Sequence, residues 1–399
     1  MEEEKNHRIK FLVSALLPTI LLFILLFAFL KLGPLGVFKA TLPPIEKIFI
    51  QRIVLEPEQI ALEVINDGPE PVTIAQVAIN EVFWQFSMSP SKTLMPLEKG
   101  KLKLHYPWLE GDPLFITLVS SNGVTFEGEV PVAVETPKFN MIFFKTFILL
   151  GIYVGVIPVL LGLIWFPFLR RLQGNWYSFL LSLTIGLLVF LGFDALSESF
   201  ELIGSLPEAF NGIGILVIGF LLAVLTLSAV SYKTQHYKKE KGEHYQALVW
   251  GYLIALGIGL HNLGEGLAIG SAYAVGDIAL GSLLVIGFMI HNVTEGLAIV
   301  APLTRAYKQI RLFISHLIAM GLIAGAPTIL GTLIGGFSYS AAIGVFFLAI
   351  GSGAIFDVSF DIVNKMAKGK WLSIFTITNV LGFLAGLLIM YATGFLVLG

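Results

Sequence analysis

The chain contains no cysteine in 399 residues. That absence excludes thiolate metal sites, disulfides and cysteine nucleophiles, and leaves nitrogen and oxygen donors for any metal that binds. Charge is the second scarcity. Asp, Glu, Lys and Arg make up 13% of the sequence, against about 25% in soluble domains. The signs nearly balance, with 25 basic and 27 acidic residues, so no basic surplus points to nucleic acid. Apolar residues take the place of charge, at 56% of the chain. The chain therefore reads as a membrane protein whose spans have the lipid bilayer as their solvent.

Residues Phe11 to Leu30 are almost uninterrupted apolar sequence behind Lys5, Arg8 and Lys10. A cleaved signal has an apolar region of about 7–15 residues and a small-residue cleavage site. This stretch is longer, and no A-x-A site follows it. Residues 1–40 are thus expected to be a cytoplasmic N-terminus and a retained transmembrane anchor. Residues 41–138 differ in character. Short Val-, Ile- and Phe-rich runs alternate with turn signals such as Asn66-Asp67-Gly68-Pro69 and Ser121-Asn122-Gly123. Several short strands at this spacing predict a small extracytoplasmic β-sandwich. It carries no catalytic cluster and reads as a scaffold or interaction module whose partner the sequence does not name.

Residues 139–399 hold eight apolar segments, at about 142–169, 177–202, 212–231, 245–273, 277–301, 312–336, 340–364 and 371–398. Each is long enough to span, so this region is expected to be an all-α polytopic bundle. After Lys145 the chain has twelve Lys or Arg, all in the first, third, fifth and seventh loops. The positive-inside rule makes those loops cytoplasmic and the C-terminus external. The anchor, with its basic end inside, independently puts the β module outside. A multi-pass protein of the plasma (cell) membrane is the expectation.

Polar chemistry is concentrated in one motif that occurs twice. His261-Asn262-Leu263-Gly264-Glu265-Gly266-Leu267-Ala268-Ile269 is followed 30 residues on by His291-Asn292-Val293-Thr294-Glu295-Gly296-Leu297-Ala298-Ile299, and seven of nine positions match. Such groups are costly in hydrocarbon and are usually there for function. The fourth and fifth segments form a hairpin turning near Ala274 to Gly276. His261 lies 14 residues before Val275 and His291 16 after it. Both motifs therefore fall about 20 Å below the turn, at one depth. Within each copy His and Glu are four apart and share a helical face. Two imidazoles and two carboxylates complete a four-ligand set of the kind Zn²⁺ favours. Asn262 and Asn292 are rotated by about 100°. They can serve a second ion, with Glu265 and Glu295 bridging, or orient and hydrate the first.

These residues resemble the ZIP family of divalent metal transporters, whose fourth and fifth helices read HNxPEG. The resemblance covers about residues 142–399. It implies an eight-helix core with both ends outside, a binuclear-capable site between helices four and five, metal uptake into the cytoplasm and a homodimer. Asp194-Ala195-Leu196-Ser197-Glu198 resembles the family's HLLPE with Asp for His, which implies an entrance role for Asp194 and Glu198. Asp357 and Asp361, four apart near the cytoplasmic end of the seventh segment, would form an exit relay. His236 and His244 flank the third loop, where many members have a histidine-rich segment. Three departures stand out. Gly264 and Thr294 replace the motif prolines. The family's helix-six GxxEP is matched only by Gly325-Ala326-Pro327, so Ala326 stands where that carboxylate would be. The anchor and β module lie outside the resemblance.

The reading is thus a transporter of zinc, or of iron, manganese or cobalt, with the ion as cargo and no prosthetic group. A membrane metal sensor or receptor is one alternative, but carboxylates toward both membrane faces favour a path through the bilayer over sensing. An intramembrane metal-dependent hydrolase is the other. It needs three ligands, an open position and a general base, and the H-E-x-x-H signature is absent. An enzyme is not expected.

Overall fold

The computed structural model describes residues 16–18, 20–25, 27, 45–172, 175–237, 242–274, 278–304, 314–338, 340–367 and 369–398. Half of the expected anchor Phe11–Leu30 lies outside the described residues, as does the turn at 275–277. So do the loop residues Lys238, Lys239, Lys241, Arg305, Lys308, Arg311 and Lys368, and the side chains of Lys233, His236 and His244. The chain divides into a unit Met1–Ile45, helical where described between 16 and 27, and a unit Glu46–Gly399.

The second unit begins with nine antiparallel strands in two sheets. One has the order β1 (Ile48–Glu56), β2 (Gln59–Asn66), β7 (Lys99–His105), β5 (Phe86–Ser89). The other runs β4 (Val82–Trp84), β3 (Val72–Ile79), β8 (Leu114–Ser120), β9 (Thr125–Val130), with β6 (Thr93–Leu94) also paired to β3. Alternation makes the sandwich. On β7, Gly100, Leu102 and Leu104 are buried and the lysines between them face out. Leu62, Val64, Ile74, Val77, Leu102 and Leu118 are fully buried in the shared core.

Eight apolar helices follow: α1 (Met141–Leu169), α2 (Asn175–Ile203), α3 (Gly212–Tyr237), α4 (Gly242–Ala274), α5 (Ile278–Val300), α6 (Ile314–Phe337), α7 (Ala341–Ala367) and α8 (Ile377–Leu398). Among the described residues seven are long and apolar enough to cross a membrane, and the described apolar part of α8 is Ile377–Thr393. The protein is a multi-pass helical bundle carrying a β module. α8 starts later than the sequence suggested, because Trp371–Ile374 forms a separate 3₁₀ turn.

Two helices are broken, and the breaks matter. α1 contains a π turn at Ile152–Val156, followed by Pro158. Proline has no N–H, so the carbonyl four residues earlier, on Val154, loses its helical donor. α6 breaks between Gly325 and Pro327 for the same reason. α4 packs along α6 and α5 along α1, glycine against glycine. A Cβ on Gly331 would lie 2.2 Å from the Leu263 carbonyl oxygen and 2.8 Å from Gly266 Cα. A Cβ on Gly296 would lie 2.3 Å from the Val159 oxygen and 2.8 Å from Gly162 Cα.

The β module is fastened to the bundle at one turn. Asn66 is buried; its amide donates to Glu70 O (2.7 Å) and Leu94 O (2.9 Å), and its Oδ1 accepts from Gly68 N. That turn presents Asp67, whose carboxylate accepts from Glu208 N (2.9 Å) and Ala209 N (3.1 Å) between α2 and α3. Lys47 bridges Asp67 at 3.2 Å and Glu208 at 2.8 Å. Burial pushes the Asp67 carboxyl up, but the Ala209 and Glu208 amides and the Lys47 ammonium outweigh it and hold it below the usual range.

Two predictions follow from these contacts. Gly331→Ala should destabilise the bundle by about 1–3 kcal/mol, because the obstructing atoms are backbone; unchanged thermal unfolding would refute the close approach. A carboxyl lowered on folding stabilises at neutral pH, and that stabilisation is lost as pH falls through the lowered folded value. Asp67→Asn should therefore cost about 1–3 kcal/mol at pH 7 and progressively less in acid. A penalty independent of pH, followed by thermal unfolding, would contradict this.

Candidate metal centre

α4 and α5 bring the two motif copies face to face. The His261 and His291 rings have centroids 6.2 Å apart and planes inclined at 26°. Glu265 Oε1 lies 3.2 Å from His261 Nε2 and 2.5 Å from His291 Nε2. His261, Glu265, His291 and Glu295 are all buried, and each offers one ligand atom within 4.8 Å of the others. The shared depth expected from residue counting is the depth at which they meet.

The asparagines act across the copies. Asn262 Nδ2 donates to Glu295 Oε2 at 2.9 Å and to the Ala324 carbonyl at 3.1 Å. Asn292 Nδ2 donates to Glu265 Oε2 at 3.2 Å and to the Val154 carbonyl at 3.0 Å. Each asparagine thus ties the opposite glutamate to a broken helix, α6 in one case and α1 in the other. The Val154 carbonyl is the one that Pro158 leaves without a donor. These carbonyls were invisible to side-chain motif reading, although Pro158 inside an apolar segment was a signal for one of them.

Several buried atoms of this group have no hydrogen-bond partner among the described residues: His261 Nδ1, Asn262 Oδ1, Asn292 Oδ1 and Glu295 Oε1. Each such atom costs about 1–3 kcal/mol if left unsatisfied. All except a protonated ring nitrogen are lone-pair donors, which is what a cation requires. Two donors on one tetrahedral Zn²⁺, at about 2.1 Å each, stand about 3.4 Å apart. The widest spacing of 4.8 Å would close by about 1.4 Å on loading. The donor set fits a borderline dication.

Asp194 and Glu198 line a cavity of about 540 Å³ together with Ser197, Glu201, Ser271 and Phe288. The Phe288 ring lies 5.5 Å from the His291 ring, so the cavity reaches the edge of the centre. Glu201 and Ser271 were not picked out from sequence. Asp357 and Asp361 are elsewhere. α7 touches α4 where Gly351 meets the His261 backbone, and the two aspartates lie about 9 and 15 Å further along the helix. They accept hydrogen bonds from Ser228 and from Ser231 (2.6 Å) of α3. They are therefore not ligands of the same centre. Ala326 caps the second half of α6 and supplies no carboxylate.

Fold and site together define a multi-pass membrane protein with a buried His/Glu cluster suited to a metal ion. No family model and no curated protein matches the chain. Among solved structures, the archaellum periplasmic stator protein FlaG from Sulfolobus acidocaldarius is similar at 14% identity, covering 21% of this chain and 99% of that one, with a TM-score of 0.19. A likeness of that size carries no functional argument.

Zinc that binds only the folded centre should stabilise the protein by about 2.7 kcal/mol at a free concentration one hundred times Kd. Glu265→Ala should abolish that thermal shift. A shift of equal size in the variant would place the ion elsewhere.

Proposed function

We propose that the protein is a ZIP-type transporter that carries Zn²⁺, or a similar first-row dication, across the membrane. One observation carries the reading: two His/Glu pairs on adjacent antiparallel helices converge in the bundle at the edge of an acidic cavity. The cavity shares Ser205, Ser340 and Ala341 with a crevice against the β module, so the β-module side is the entrance side. The positive-inside rule makes that side external and the Asp357/Asp361 side cytoplasmic. The ion is attracted by Asp194, Glu198 and Glu201, passes Phe288 and exchanges water for the four ligands. It then leaves toward Asp357 and Asp361. The plasma membrane is the proposed location, with the N-terminus inside and both the β module and C-terminus outside.

Uptake of labelled zinc into proteoliposomes is the test. Glu265→Ala and His291→Ala should each reduce it to the leak rate while the protein remains folded. Asp194→Asn with Glu198→Gln should lower it by about tenfold at limiting zinc, and by less in high salt. Wild-type uptake in both ligand variants would end the assignment.

A further inference from the structure

A crevice of about 330 Å³ lies between the β module and the bundle, and the function proposed above leaves it without a role. Gln51 and Arg52 of β1, Glu63 of β2 and Lys99 of β7 line it from one side, Ser338 and Ser340 from the other. In a regular strand, consecutive side chains point to opposite faces. Here the β1–β2 register shifts between Ile50 and Arg52, leaving Gln51 as an extra residue. That bulge lets both Gln51 and Arg52 face the crevice, which is how bulges re-aim side chains beside binding sites.

The charges in the crevice are not internally matched. Arg52 stands across the strand pair from Glu63, but Glu63 pairs with Lys101 on its other side, at 3.6 Å. Arg52 Nε is buried and has no hydrogen-bond partner among the described residues. Lys99 likewise has no ion-pair partner among them. A guanidinium, an ammonium, a carboxamide and two hydroxyls therefore converge on one small space, together with the Glu63 carboxylate that Lys101 meets from its other side, so the lining of two cations and one carboxylate is positive on balance.

We propose that this crevice is a binding site for a small oxyanion of the carboxylate or phosphate class, held by Arg52 and Lys99. Arg52 supplies planar, paired donors suited to such groups. Gln51, Ser338 and Ser340 supply neutral donors. Three wall residues, Ser205, Ser340 and Ala341, are shared with the acidic cavity, so sites of opposite sign stand side by side. That juxtaposition suits an anion that accompanies a divalent cation, such as the carboxylate ligand of a metal chelate. The accompanying role rests on the transport reading; the anion site itself does not.

The test is calorimetric titration of the full chain in nanodiscs with citrate and, separately, with inorganic phosphate, using chloride as control at fixed ionic strength. At least one oxyanion should bind saturably, and the arm that does so names the class. Arg52→Gln and Lys99→Gln should each weaken it about tenfold or more, and Glu265→Ala should leave it unchanged. No saturable binding of either oxyanion would overturn the proposal. So would wild-type affinity in both crevice variants, or loss of binding in Glu265→Ala. Transport can fail in its own assay without touching these results.

Discussion

The structure is organised around the difficulty of burying two carboxylates and two imidazoles between helices. Charged groups in a low-dielectric interior lose hydration worth several kcal/mol per ion, and only good partners restore it. Glu265 is met by both histidines and by Asn292; Glu295 is met by Asn262 and keeps one oxygen without a partner. The partners are incomplete in one direction: the atoms left over are mainly acceptors. A dication would fill that deficit in a way that no further protein donor in the group does.

Backbone geometry serves the same centre. Pro158 and Pro327 interrupt the two helices that flank the motif hairpin. Carbonyls beside those interruptions, Val154 O and Ala324 O, accept from the two asparagines. Non-helical backbone at membrane depth is tolerated where it is buried in protein and its groups are re-satisfied. The glycine contacts Gly266–Gly331 and Gly162–Gly296 bring the broken helices close enough for this to happen.

Much of this was legible from residues alone. The repeat, its four-residue His–Glu spacing and its equal distance from a hairpin turn are periodic signals, and they led to the facing pair. Helix limits followed from apolar run length, except at the start of α8, and the sandwich from alternation and turns. The carbonyl partners were not legible, because every residue carries a carbonyl and only tertiary packing selects two. Asp67 was read merely as part of a turn; its docking role depends on a segment 141 residues away. Glu201 lines the cavity beside Asp194 and Glu198, but no motif marked it. Ala326 and the serine-bound Asp357 and Asp361 leave the centre with the four candidate ligands that the repeat itself supplies.

The β module is more than an appendage to this arrangement. A charged clasp fixes it at the α2–α3 turn, on the side where the acidic cavity opens. The central claim, that the two motif copies jointly hold a divalent ion, is tested most directly by anomalous diffraction at the zinc edge from zinc-loaded crystals. The account predicts a peak between α4 and α5, within about 2.0–2.2 Å of ligand atoms from His261, Glu265, His291 and Glu295. A zinc-loaded structure with no anomalous density among those four side chains would contradict it.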